Sequence, residues 1–166
     1  MSARLPAEEL TAAAFAPFGR VIERPGRAED AGGPGWRWWA ETMLLASDGR
    51  PFGVGYLDLT PAPLRFDWAE RHFRTVEVLL PLGADCLVYA GPPEPREPAR
   101  QLPPLAAFRV FRVRPGMGVV LNPGVWHGAP LAAGPPTRVL CLILEHTGRD
   151  DVTLVRFPGQ PVSIEG

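Results

Sequence analysis

Glu70, His72, Glu77 and His127 are the residues whose types and spacing could do chemistry in this chain. Of its three histidines, two fall in short segments punctuated by glycine and proline. One is Glu70-Arg71-His72, followed by Glu77 and Gly83; the other is Gly118, followed by Pro123-Gly124-Val125-Trp126-His127. Imidazole nitrogens with carboxylates are the donors from which zinc, iron, nickel and manganese sites are built. Alternate side chains of a strand share a face, so Glu70 and His72 lie together. Glu77 stands at an odd interval from His72 and falls on the other face of an unbroken strand. A turn or bulge at Phe73-Arg74 resets that parity and lets Glu77 join them. His127 follows a Pro-Gly turn, which would start its strand at the mouth of a barrel. Two imidazoles and two carboxylates from three strands then make a ligand set for a divalent metal (nickel, zinc, manganese or iron), with room for water or substrate.

Each residue also has a plainer reading. A lone strand histidine beside an arginine and a glutamate is ordinarily a polar, hydrogen-bonded residue; the paired motifs outweigh that here. His146, after an apolar run and before Gly148, reads as a strand-end surface residue. Arg109, Arg112 and Arg114 lie on an expected strand, where one could bind a substrate carboxylate bidentately, or all could face solvent or a second subunit. Trp36, Trp38 and Trp39 form an aromatic cluster that would serve as lid, dimer contact or core filling.

The elements that must position these residues are short. Proline (21) and glycine (18) interrupt brief apolar runs rather than forming one tract, the pattern of an all-β domain rich in turns. Strands are expected at Phe52–Leu59, Phe66–His72, Thr75–Leu80, Cys86–Ala90, Ala107–Val113, Gly118–Leu121, Val125–His127, Arg138–Glu145 and Val152–Phe157. One short N-terminal helix is expected over Ala12 to Phe15, capped by Thr11 and ended by Pro17 and Gly19. The proline-rich stretch from Gly91 to Pro104 reads as a surface excursion between strands. With no internal repeat, residues 1–166 read as a single domain, a sandwich or barrel.

Composition excludes several functions. The net charge is −1 and dispersed, which argues against a nucleic-acid groove or a polybasic membrane patch. All 17 basic residues are arginine, so Schiff-base chemistry and a phosphate loop with its lysine are ruled out. No apolar run is long enough to span a bilayer, and the first residues lack the apolar centre of a signal peptide, so a cytoplasmic location is expected. Cys86 and Cys141 sit in apolar runs and read as buried free thiols.

The ordered set of motifs resembles the ureidoglycolate lyase family of the cupin superfamily. The resemblance rests on the opening from Leu10 to Glu23, on Glu70-Arg71-His72 with Val78-Leu79-Leu80-Pro81-Leu82, and on Ala107-Phe108 and Gly124-Val125-Trp126-His127 with Pro130-Leu131. It implies a cupin-type double-stranded β-helix (jelly-roll barrel), a homodimer, and cleavage of ureidoglycolate to glyoxylate and urea in allantoin (purine) catabolism. A divalent metal, nickel among them, is associated with the family. On this reading His72, Glu77, His127 and Glu70 hold the metal, while Glu70, His72 and His127 carry the catalysis of a small carboxylate. The chain departs from the family in having Glu77 where Gln is common and Asn122-Pro123 where His-Arg is common, both toward the general metal-binding cupin pattern. The alternatives are another metal-dependent cupin enzyme (dioxygenase, isomerase or decarboxylase) and a non-catalytic barrel that binds a small ligand.

Overall fold

A computed structural model describes residues 3–93 and 102–165. The first half contains β1 (Arg4–Glu9), α1 (Ala12–Phe15), β2 (Gly19–Ile22), β3 (Ala31–Gly33), β4 (Trp36–Trp38), β5 (Phe52–Leu59), β6 (Arg65–Phe66), β7 (Trp68–Arg71) and β8 (Glu77–Pro81). The second half contains β9 (Cys86–Gly91), β10 (Arg109–Val113), β11 (Gly118–Leu121), β12 (Trp126–His127), β13 (Leu131–Ala132), β14 (Thr137–Leu144), α2 (Thr147–Asp150), β15 (Thr153–Arg156) and β16 (Val162–Glu165). The fold is all-β, as the turn-rich composition predicts. Among the described residues no helix is long and apolar enough to cross a membrane.

Two sheets carry the architecture. One runs β15-β7-β12-β9-β10-β1-β16-β6, with β13 also on β9; the other runs β2-β11-β8-β14-β5, and β3–β4 is a separate hairpin. Val88, Ala90, Phe111 and Val113 of the first sheet share one core with Leu79, Val119, Leu121 and Val139 of the second. Helix α1 drops Phe15 into that core, its ring edge-on to Phe111 with centroids 5.1 Å apart. Thr11 caps the helix as expected, its hydroxyl accepting from the Ala14 amide at 3.1 Å. Burying a side chain of this size contributes about 2–3 kcal/mol. A second core lies on the opposite face of the first sheet, where Phe66, Tyr89, Phe108, Trp126 and Phe157 cluster. Buried from both sides, all six residues of β9 are inaccessible, which is why that segment reads as a continuous apolar run rather than an alternation.

Several expectations need correction. Phe66–His72 is not one strand. Asp67 breaks it, so that β6 pairs with β16 while β7 pairs with β12 and β15. Ala107 ends a 3-10 turn and its strand starts at Arg109. Strand β1, absent from the expected set, lies parallel to both β10 and β16. The excursion expected over Gly91 to Pro104 falls largely outside the described residues.

Candidate functional site

The site lies where the two sheets meet at one end of the shared core. On β12, His127 stands opposite Glu70 of β7 and Ala90 of β9. Ala90 belongs to the core between the sheets, so Glu70 and His127 face the interior. Alternation sends Arg71 and Trp126 to the other face, where the guanidinium stacks 4.3 Å from the Trp126 ring and 4.6 Å from that of Phe73. Arg71 is therefore a buried cation of the aromatic core and stands outside the site.

Main-chain contacts join the two motifs. Gly124 takes φ +85°, the left-handed conformation that glycine adopts without steric cost, and its amide donates to the His72 carbonyl. A second glycine is required by contact: a Cβ on Gly128 would lie 1.7 Å from the Tyr89 hydroxyl, which donates to the Trp68 carbonyl at 2.9 Å. Beyond His72 the chain turns at Phe73-Arg74 and crosses from the first sheet to the second, which is how Glu77 comes to face its partners. Asp151 holds this crossing, its Oδ2 accepting from the amides of Phe73 (3.0 Å) and Arg74 (2.7 Å).

The donor atoms then converge. Nδ1 of His72 lies 2.8 Å from the Asp151 carbonyl, and Nδ1 of His127 lies 2.9 Å from the Val125 carbonyl. A carbonyl can only accept, so each Nδ1 carries the proton and each Nε2 is turned inward, as in metal-binding imidazoles whose other nitrogen is held by a backbone carbonyl. Ligand atoms of Glu70, His72 and His127 all lie within 4.8 Å of one another, a group that could hold a metal ion. Glu77 Oε2 stands 2.8 Å from His127 Nε2 and 3.5 Å from His72 Nε2. Three of the four expected donors, Glu70, His72 and His127, form one group, and Glu77 lies against both imidazoles.

Burial alone would push the Glu77 carboxyl up, but the charge and hydrogen bonds of His127 and His72 outweigh it and hold Glu77 below the usual carboxylate range. Burial alone would lower His127; the Glu77 charge, its hydrogen bond and the Val125 carbonyl raise it instead. Carboxylate and imidazole thus share a proton across their 2.8 Å contact. Two inward imidazoles and two carboxylates fit a borderline divalent ion.

Cys141 is a participant that the sequence did not reveal. Its Sγ lies 3.4 Å from Glu77 Oε1, so the Glu77 carboxylate is held by the two histidines on one oxygen and by a thiol on the other. Burial, then the Glu77 charge, pushes this thiol above its ordinary range, so it stays protonated and donates. The only signal was an intermittently apolar strand, indistinguishable from core. Asp151 was missed too, because its carbonyl and its carboxylate both meet partners almost eighty positions earlier in the chain.

The remaining candidates lie elsewhere. Arg109, Arg112 and Arg114 pair with Glu8, Asp85 and Glu9. His146 is an exposed residue after β14, near Glu145. Trp36 and Trp38 are more than half exposed on the β3–β4 hairpin, which rules out core filling. Cys86 and Cys141 are free. A cavity of about 490 Å³ beside Asp58, Leu82, Thr137 and Arg138 gathers no metal ligands or acid–base pair, only the exposed Arg138–Asp58 ion pair. The chemistry belongs to the histidine cluster.

A sequence model of the family described as ureidoglycolate lyase matches residues 2–165. The chain belongs to the ureidoglycolate lyase family. It is 34% identical over 141 residues to the ureidoglycolate lyase of Rhodobacter capsulatus, covering 81% of this chain and 83% of that one. It is 31% identical over 143 residues to ureidoglycolate lyase 2 of Rhizobium meliloti (75% and 76% covered). With the ureidoglycolate lyase of Azotobacter vinelandii it shares 34% identity over 134 residues (77% of each chain). Among solved structures, a 3,4-ketoisomerase from Thermoanaerobacterium thermosaccharolyticum overlays with a TM-score of 0.44 at 16% identity, over 61% of this chain and 64% of that one.

Proposed function

We propose that this member of the ureidoglycolate lyase family cleaves ureidoglycolate to glyoxylate and urea at the Glu70, His72, Glu77 and His127 cluster. Family membership over nearly the whole chain supports the activity. The observation that supports the location is the convergence of two carbonyl-locked imidazoles on carboxylates from both sheets.

Ureidoglycolate is a hemiaminal bearing a carboxylate. Its cleavage removes the hydroxyl proton, forms the aldehyde C=O, and breaks the C–N bond with its electron pair leaving on the urea nitrogen, which takes a proton. Glu70 is the residue to do both transfers: its carboxylate accepts the hydroxyl proton and its acid form returns that proton to the departing nitrogen, so none is gained or lost. General acid–base help of this kind contributes about a hundred- to ten-thousandfold. His72, Glu77 and His127 would hold a divalent ion, whose Lewis acidity lowers the pKa of an oxygen bound to it. Asp151 and Val125 orient the imidazoles and Cys141 orients Glu77. Nickel, zinc, manganese and iron all accept this donor set.

A cytoplasmic homodimer completes the proposal. The outer face of the second sheet exposes Val54 and Tyr56 on β5, and Leu82 after β8 is exposed as well, apolar surface suited to a second copy of the chain.

The test is to incubate the purified protein with ureidoglycolate, with and without chelator, and follow glyoxylate. Chelator-sensitive glyoxylate release is expected. Oxygen consumption without glyoxylate would point instead to oxygenase chemistry at the same cluster.

A further inference from the structure

Gly53 and Gly55 stand on β5, the edge strand of the second sheet, opposite Ile143 and Cys141 of β14. Residues directly opposed across an antiparallel pair share a face. Because the Cys141 thiol meets Glu77, this is the face turned toward the site. Both glycines are exposed. Neither is among the residues with positive φ. A Cβ on Gly53 would meet only the Ile143 carbonyl oxygen at 3.5 Å, and one on Gly55 only the Cys141 carbonyl oxygen at 3.9 Å. Neither backbone conformation nor packing therefore asks for glycine here, yet glycine weakens a strand and marks places where something else approaches the backbone closely. At these two positions the edge strand presents no side chain on its inward face, whereas Leu57 and Leu59 further along the same face pack against the core.

Arg50 stands just before this strand. Its Nε donates to Asp48 at 2.9 Å, while its Nη2 is buried with no hydrogen-bond partner among the described residues. A buried guanidinium nitrogen left unbonded is costly and is a donor awaiting an acceptor. The Pro51 carbonyl accepts from the Glu145 amide, which sets Arg50 at the end of the β5–β14 pair that carries Ile143. Like the arginines of β10, Arg50 is paired with an acid through part of its guanidinium; what sets it apart is the buried Nη2 left without a partner among the described residues.

We propose that Gly53 and Gly55 form the floor of a substrate notch leading to Glu77 and the two histidines, and that Arg50 Nη2 donates to the substrate carboxylate at its end. The substrate's identity rests on the lyase reading above; the notch does not. In the full-length protein, Gly53→Val and Gly55→Val fill the notch with residues that favour strands. We expect thermal stability to be unchanged or higher, affinity for added nickel ion unchanged, and labelling of Cys141 by methyl methanethiosulfonate at fixed pH to slow about tenfold, with buried Cys86 as the internal control. KM for ureidoglycolate should rise about tenfold in these variants and in Arg50→Lys, with kcat largely kept, as loss of binding shared by ground and transition states requires. Wild-type labelling rate and KM in both valine variants would overturn the notch, and an unchanged KM in Arg50→Lys would overturn the anchor. Gly55→Ala, a smaller addition, gives the same reading should valine prevent folding. If the wild-type protein releases no glyoxylate, the lyase reading fails, and the labelling rates still decide whether the notch exists.

Discussion

Glu77 Oε2 lies 2.8 Å from His127 Nε2, although the two residues stand in different sheets and 50 positions apart. The contact ties the sheets together at the site, and removing His127 takes from the buried Glu77 carboxylate its shortest partner, leaving it only His72 and the Cys141 thiol. His127→Ala is expected to abolish both metal binding and glyoxylate release. It should also destabilise the fold by about 3–5 kcal/mol, the usual cost of breaking a buried pair from one side. Metal analysis, glyoxylate assay and denaturant unfolding check the three effects, and full metal content with full turnover would refute the assignment.

Cys141 holds the other oxygen of the same carboxylate. Cys141→Val keeps the packing and removes the donor, and kcat/KM is expected to fall about tenfold, the equivalent of roughly 1.4 kcal/mol. Cys141→Ser retains a donor and should recover most of that loss. Equal activity in the valine and serine variants would show that the thiol only fills space.

Gly128→Ala drives a methyl group into the Tyr89 hydroxyl. Overpacking of this kind costs about 1–3 kcal/mol, and here it also displaces the strand carrying His127. Tyr89→Phe in the same chain removes the obstructing oxygen at the cost of its bond to Trp68, so partial recovery of stability is expected. A double-mutant cycle measured by thermal unfolding tests whether the two changes are coupled.

The Glu8–Arg109 pair predicts an acid-side dependence of stability. Its hydrogen bond to Arg109, opposed by slight burial and aided by the guanidinium charge, holds the Glu8 carboxyl below its ordinary value of 4.5. A carboxyl depressed by folding contributes stability that is complete above its unfolded pKa and is lost as pH falls through the folded one. Glu8→Gln should therefore be less stable than wild type at pH 7, by about 1 kcal/mol or less for a partly exposed pair, and the gap should close as the solution is acidified. A gap that widens toward low pH would contradict the pairing.

Residues that act through local geometry were readable in the sequence. Thr11 before an alanine run marks the helix, and Pro123-Gly124 marks the turn before His127. The odd interval between His72 and Glu77 announces the bend at Phe73-Arg74. What could not be read depends on partners distant in the chain. Strand β1 contains Pro6, Glu8 and Glu9, poor strand formers held in place by parallel neighbours and by ion pairs to Arg109 and Arg114. Cys141 looks like any apolar strand residue until Glu77 is placed against it. Asp151 contributes a carbonyl to His72 and a carboxylate to the amides of Phe73 and Arg74, partners far away in the chain, and Gly53 and Gly55 matter through what they lack.

Strand β7 and the residue after it serve two chambers at once, giving Ala69 and Arg71 to the aromatic core and Glu70 and His72 to the cluster. A gain or loss of one codon within it would exchange the two sets, placing a guanidinium among the ligands and a carboxylate among the phenyl rings. This stretch can drift by spelling changes but not in its letter count, and indels should be missing there even among distant descendants of the same gene.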